Sequence, residues 1–182
     1  DMTKNMLKGG LSMGFMSSLV NLGSLTLQTA INKLGQEVIV AHTAARKISE
    51  LFMIMFTVFG QTMATYCGQN VGAGEIGRVK KGIRLSIFYT CIWCTGAVLA
   101  SYTVGPWLVH LVTGTDNPAV VSYATSYLKF DTLFYYVTAV ICVLRNAMQG
   151  LGDYVTPLVS SSLEMIGKIV IAFTLVPGLG YT

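Results

Sequence analysis

The stretch Tyr66-Cys67-Gly68-Gln69-Asn70-Val71-Gly72-Ala73-Gly74-Glu75-Ile76-Gly77-Arg78-Val79-Lys80-Lys81-Gly82 decides the fold. It closes one long uncharged run, carries glycines at 72, 74, 77 and 82, and sets Arg78, Lys80, Lys81 and Arg84 together just before a second uncharged run opens at Leu85. Glycine gives the backbone freedom for a helix stop and a tight turn. Basic residues clustered beside apolar runs mark the cytoplasmic loops between membrane helices. The stretch therefore reads as a hairpin over 71–82 facing the cytoplasm.

Composition agrees. Of 182 residues, 53% are hydrophobic and only 11% charged, with mean hydropathy +0.61. Soluble domains carry about 25% charged residues, so water solvates little of this chain. The net charge of +4 sits at the ends of apolar runs and forms no basic stripe; with no such stripe, nucleic acid is not an expected partner. The chain opens at Asp1 with no signal-peptide pattern and reads as a segment of something longer. Cys91-Ile-Trp-Cys94 has the literal C-x-x-C spacing, but no second Cys or His pair accompanies it. The cysteines read as small buried hydrophobes.

Working outward from the hairpin, five apolar spans are expected, roughly 9–32, 44–70, 83–105, 119–149 and 157–176. The first is 24 residues without a charge, where a bilayer-spanning helix needs about 20. Pro106, Gly114 and Asp116-Asn117-Pro118 mark a connecting loop between the third and fourth spans, and the first turns of the fourth are open to reading as a separate short helix. No stretch reads as a strand. The fold class is all-α, integral membrane. Lys4, Lys8, Arg78, Lys80, Lys81 and Arg84 fall on the hairpin side, against Lys33 and Lys129 (with Arg46 and Lys47 uncertain in depth) on the other, which places the hairpin inside.

Three polar stripes interrupt the spans. Ser17, Asn21, Ser24, Gln28 and Asn32 share one helical face; so do Arg46, Glu50, Thr57, Gln61 and Gly68, and so do Tyr127, Asp131, Tyr135, Thr138, Cys142 and Asn146. Lipid cannot satisfy such groups, so they face other helices or a watery cavity. Hydrogen bonds gluing a bundle explain any one of them equally well; three stripes together favour a cavity. Its candidate lining is Asn21, Gln28, Asn32, Thr57, Gln61, Tyr127, Tyr135, Thr138 and Asn146. Arg46 with Glu50, and Glu164 with Lys168, are i, i+4 partners that neutralise each other. Arg145, about 21 Å along the helix from Asp131, is expected to snorkel to the inner headgroups. Asp131 is the best single candidate for an ion or proton site, with Glu50 second, although Lys129 beside Asp131 fits a plain interface marker too. The nine methionines suit an adaptable apolar surface or ordinary packing.

Three motifs mislead. Gly72-Ala73-Gly74-Glu75-Ile76-Gly77 spells the dinucleotide fingerprint, but it lacks the preceding strand and the later acid. Gly10-Leu11-Ser12-Met13-Gly14 spells a nucleophile elbow but opens an apolar helix. Gly10-x-x-x-Gly14 and Gly68-x-x-x-Gly72 fit the close-packing helix motif, which is common by chance. With two isolated histidines and scattered acids, enzyme chemistry is not expected.

Val40-Ala41-His42-Thr43-Ala44-Ala45-Arg46-Lys47-Ile48, the Gly68-Gln69-Asn70-Val71-Gly72-Ala73-Gly74 stretch with Arg78, and Gln149-Gly150-Leu151-Gly152-Asp153 with Pro157 resemble, in order and spacing, the second half of the multidrug and toxic compound extrusion (MATE) family. The resemblance covers nearly the whole chain. It implies part of a fold of twelve helices in two six-helix lobes, here helices seven to eleven. The first lobe would then be a partner outside this sequence. It further implies a multi-pass protein of the plasma (inner) membrane. Family members are secondary antiporters, exporting cationic, amphipathic drugs in exchange for Na+ or H+ by alternating access. That implies no cofactor beyond the coupling ion, with membrane lipid and small cationic molecules as partners.

Two positions depart from the family's cation site in this lobe. Val20 stands where such members carry glutamate, and Ala139 where they carry aspartate. This lobe is therefore expected not to bind Na+, and coupling would use the other lobe, or Asp131 and Glu50 in some other way. Ser12 also stands where the family usually has proline. Two further readings remain open. A lipid-linked oligosaccharide flippase of the wider superfamily would show basic residues in its cavity, where Arg46 alone qualifies and Glu50 can neutralise it. A non-transporting structural membrane segment is the other, since half a transporter cannot rock two repeats against each other.

Overall fold

The computed structural model describes residues 2–32 and 35–179. It is helical throughout: α1 (Met2–Ile31), α2 (Gln36–Gly72), α3 (Ile76–Thr103), α4 (Gly105–Thr113), α5 (Pro118–Leu133), α6 (Tyr135–Gly150) and α7 (Val155–Leu179). Lys33 and Leu34, expected to close the first span, lie outside the described residues.

The 71–82 stretch folds as its glycines dictate. α2 stops at Gly72, Gly74 takes the left-handed region at φ 74°, and α3 starts at Ile76. The orphan carbonyls of the last turn are met by the turn itself: Glu75 N–H donates to Asn70 O at 2.8 Å and Gly74 N–H to Val71 O at 2.9 Å. Gly82 earns its place differently, because a side-chain carbon there would lie 2.5 Å from the Tyr66 ring. The second turn repeats the scheme, with Gly152 at φ 84° and Asp153 N–H donating to Met148 O at 3.0 Å. Asp153 then caps α7, its carboxylate accepting from the Val155 and Thr156 N–H groups at 3.0 and 3.1 Å.

Two expectations about the chain's second half are corrected. The connecting loop expected from Pro106 to Pro118 contains α4, with Pro106 in its first turn and Gly114, at φ 64°, as its left-handed stop. The single helix expected over 119–149 is broken at Phe134 into α5 and α6, bent by 52°. Neither Pro nor Gly marks the break. Thr132 lies beside it; its hydroxyl donates to Leu128 O at 2.8 Å, drawing on the backbone ladder, and Phe134 N–H bonds back to Asp131 O at 3.1 Å.

Among the described residues, α2 and α3 are each long and apolar enough to cross a bilayer, and the bent α5–α6 pair qualifies as a third span. α1 and α7 match them in length, and both turn polar groups toward each other. Ser12 donates to Tyr154 O at 3.1 Å and Lys168 to Ser24 Oγ at 3.3 Å. Large apolar side chains such as Phe15, Leu51, Phe88, Phe130 and Val159 point outward, as a lipid solvent allows.

α2 is the central helix, packed on α3, α4, α5 and α6, whereas α1 packs chiefly on α7. The α2–α6 seam runs through small residues at spacing four. A side-chain carbon on Gly150 would sit 2.2 Å from Ala64 O, one on Gly68 would sit 3.2 Å from Gly150 O, and one on Gly60 would sit 2.6 Å from Asn146 Nδ2. Gly60-x-x-x-Ala64-x-x-x-Gly68 is thus the working close-packing motif. Among the described residues nothing comes within 4 Å of a side-chain carbon built on Gly10, Gly14 or Gly72, so neither Gly10-x-x-x-Gly14 nor Gly68-x-x-x-Gly72 acts as a pair there. Three small apolar clusters fill the rest of the core. The middle one joins Phe56, Cys94, Ala97, Tyr135 and Ala139.

Candidate functional site

The two helix groups, α1–α7 and α2–α6, leave a cavity of about 760 Å³ between them. α1 contributes Met13, Met16, Ser17 and Val20; α2 contributes Thr57 and Gln61. α6 contributes Thr138, Cys142, Arg145, Asn146 and Gln149, and α7 closes the wall with Ser160 and Glu164. The α6 residues recur every three or four positions because one helical face is presented to the gap.

The three polar stripes therefore converge only in part. Thr57, Gln61, Thr138 and Asn146 are among the residues lining this cavity. Asn146 Nδ2 donates back to Cys142 O at 2.9 Å, which orients its amide along the wall. Asn21 is exposed and lies outside the lining, where its neighbour Val20 stands instead. Gln28 and Asn32 bond each other, Nε2 to Oδ1 at 3.0 Å, and lie outside the lining. Tyr127 packs edge-on against His42, ring centres 5.1 Å apart, and belongs to the outer core cluster. Tyr135 is fully buried against Phe56 and Phe52. Tyr127 lies before the bend, on α5, and its ring meets α2 at His42; Tyr135 opens α6, and its ring is taken up by Phe52 and Phe56 of α2.

Asp131 sits beside that bend. Its Oδ2 accepts from Ser49 Oγ at 2.7 Å and from Tyr135 Oη at 3.1 Å. Among the described residues no cation lies within ion-pair distance of it. Glu50 is exposed and meets Arg46 at 3.5 Å, the structural pair its spacing suggests. Val20 and Ala139, the two departures from the family's cation site, are on the cavity wall and in the core respectively.

Arg145 overturns its expected role. It does not reach for headgroups: Nη2 donates to Ser160 Oγ at 2.9 Å and to Glu164 Oε2 at 3.3 Å, across the gap from α6 to α7. Glu164 in turn accepts from Lys168 on its other oxygen at 2.8 Å. Arg145, Glu164, Ser160, Gln149 and the thioethers of Met13 and Met16 were all missed as lining residues. The usable signal was Arg145 itself, because a charge inside a spanning helix marks a functional site by default.

A family model, MatE, matches residues 13–174. The chain belongs to the MATE family of transporters. No curated protein and no solved structure matches it. Membership makes this a membrane transport protein, in keeping with its apolar helices, and the family is one of transporters and not of enzymes. The matched range takes in the Gly68–Gly74 turn, the Gln149–Asp153 turn and every residue that lines the cavity.

Proposed function

We propose that this MATE chain supplies one side of the substrate path of a secondary antiporter. The antiporter exports amphipathic organic compounds across the plasma membrane, in exchange for H+ or Na+, by alternating access with a second lobe. The observation that carries this is the cavity between α1–α7 and α2–α6. Its volume of about 760 Å³ is in the range of small-molecule sites. Methionine thioethers and apolar side chains form much of the wall, an adaptable surface, while Gln61, Asn146, Thr57 and Thr138 supply polar contacts. Across the gap Arg145 meets Ser160 and Glu164, and rocking of this lobe against the second would open and close the cavity. The family resemblance points to cationic compounds, and Asp131 is the acid in the spans best placed to exchange a proton.

The test is efflux of an amphipathic dye from vesicles holding the intact transporter, with pH and Na+ gradients imposed separately. Efflux under the pH gradient alone supports proton exchange. Efflux that follows Na+ places a cation site elsewhere in the protein, since Val20 and Ala139 replace the acids of this lobe. A second reading, a flippase for an anionic lipid-linked headgroup, gains from Arg145 in the cavity wall. It is favoured if neither gradient drives dye efflux.

A further inference from the structure

The ionised groups at the α6–α7 face of the cavity do not balance. One carboxylate, Glu164, is shared between two cations: Lys168 at 2.8 Å and Arg145 at 3.3 Å. Lys168 is the nearer, and it is fixed one helical turn away on the same helix. Arg145 is the looser partner and faces the cavity. Among the described residues only its Nη2 is engaged, by Ser160 and Glu164, and its buried Nε–H has no partner. One turn further along α6, Gln149 also lines the cavity. A guanidinium presents its donors as a planar fork that matches a carboxylate or phosphate bidentately, which a lysine cannot do. The Arg145 side chain is 15% exposed, and a charge so placed acts more strongly than it would in bulk water.

We propose that Arg145 is an anion-recognition subsite within the transport cavity, taking the carboxylate or phosphate group of a zwitterionic or anionic amphiphile. In the unliganded state Glu164 is the resident anion. An incoming substrate group takes over the guanidinium, and Glu164 keeps its charge on Lys168. This rests on the reading of the cavity as a path for amphipathic compounds. It narrows the class, because a compound that is cationic only would add a further positive charge to a wall that already has one to spare.

Rhodamine B carries a free carboxylate, and its ethyl ester is the same fluorophore without it. Binding of each is followed by fluorescence polarisation on the intact transporter in phosphatidylcholine nanodiscs. A hydrogen-bonded charge contact is worth enough for at least a tenfold change in Kd. Arg145→Gln is expected to weaken rhodamine B at least tenfold and leave the ester within about twofold. Glu164→Gln releases the guanidinium and is expected to tighten rhodamine B severalfold, a gain that damage to the fold would not produce. Equal weakening of both dyes by Arg145→Gln overturns the subsite, as does no gain with Glu164→Gln. Binding of neither dye by the unaltered protein refutes the amphipathic-substrate reading itself. Competition by phosphatidylglycerol, lost in Arg145→Gln, would assign the subsite to a lipid headgroup and overturn its assignment to substrate.

Discussion

Gly150→Ala tests whether the α2–α6 seam is built on backbone contact. The new methyl carbon would lie 2.2 Å from Ala64 O, 2.9 Å from Ala64 C and 3.0 Å from Ala64 Cα. These atoms are main chain in the middle of a helix and cannot rotate away. Ordinary carbon contacts need about 3.5 Å, so the helices must part locally by about 1 Å. Overpacking of this kind costs about 1–3 kcal/mol. The parting would also loosen the neighbouring contact between Gly68 and Gly150 O. Gly150 is helical with no positive φ, so the backbone accepts alanine there, and the usual gain of about 0.4–1 kcal/mol from replacing glycine only partly offsets the clash. Gly72→Ala is the matched control, since nothing lies within 4 Å of its added carbon. The assay is the fraction of monodisperse transporter left after heating in detergent, read by size-exclusion fluorescence. Gly150→Ala should lower the midpoint by several degrees, and Gly72→Ala should leave it unchanged or raise it slightly. Equal midpoints for Gly150→Ala and the unaltered protein would refute the seam.

Three other outcomes follow from the same geometry. Tyr135→Phe removes one of the two hydroxyls on Asp131 and should lower thermal stability by about 0.6 kcal/mol, the average for interhelical hydrogen bonds in membranes. The same assay reads it, and no change would mean the hydroxyl is not engaged. Asn117→Ala deletes the cap on Ala119 N–H and the bond from Asn117 Nδ2 to Glu37 Oε1 at 3.0 Å. It should cost about 1 kcal/mol, seen as faster amide exchange in the first turn of α5. Hydrogen bonds from the Thr156 hydroxyl and the Thr156 and Val155 N–H groups hold the Asp153 carboxyl below its ordinary value of 3.8. Because the folded value is depressed, the cap's contribution is present above pH 3.8 and is lost as pH falls through the folded value. Protection of the Val155 and Thr156 amides, measured relative to the intrinsic exchange rate at each pH, should fall on acidification in the unaltered protein, and Asp153→Ala should show low protection already at neutral pH.

Much of the fold was legible because membrane helices are written in runs and punctuation. The glycines at 74 and 152 fall at the two turns they signal, and helical periodicity found the faces bearing Thr57, Gln61, Thr138 and Asn146. Periodicity says which residues share a face but not what that face meets. Tyr127 and Tyr135 share a face with Thr138, yet both rings pack on α2, against His42 and against Phe52 and Phe56. Nothing in the residues around 134 resembles a proline or glycine signal; the break lies where Thr132 and Asp131 draw hydrogen bonds away from regular helix pairing. Gln28 and Asn32 satisfy each other within α1, which the i, i+4 spacing allowed and the cavity reading overlooked. Arg145 was misplaced because a long side chain near a helix end can reach either water or a partner. Only the packing of α7 on that side, with Ser160 and Glu164 in reach, decides between them.

The central claim is that the gap between α1–α7 and α2–α6 is where substrate binds. It is tested most directly by thiol labelling of Gln61→Cys with a membrane-impermeant methanethiosulfonate, in a background carrying Cys91→Ser and Cys142→Ser, because Cys67 and Cys94 are buried. The account predicts that the introduced thiol reacts and that saturating rhodamine B slows the reaction severalfold. Labelling that proceeds at the same rate with and without bound dye would contradict it.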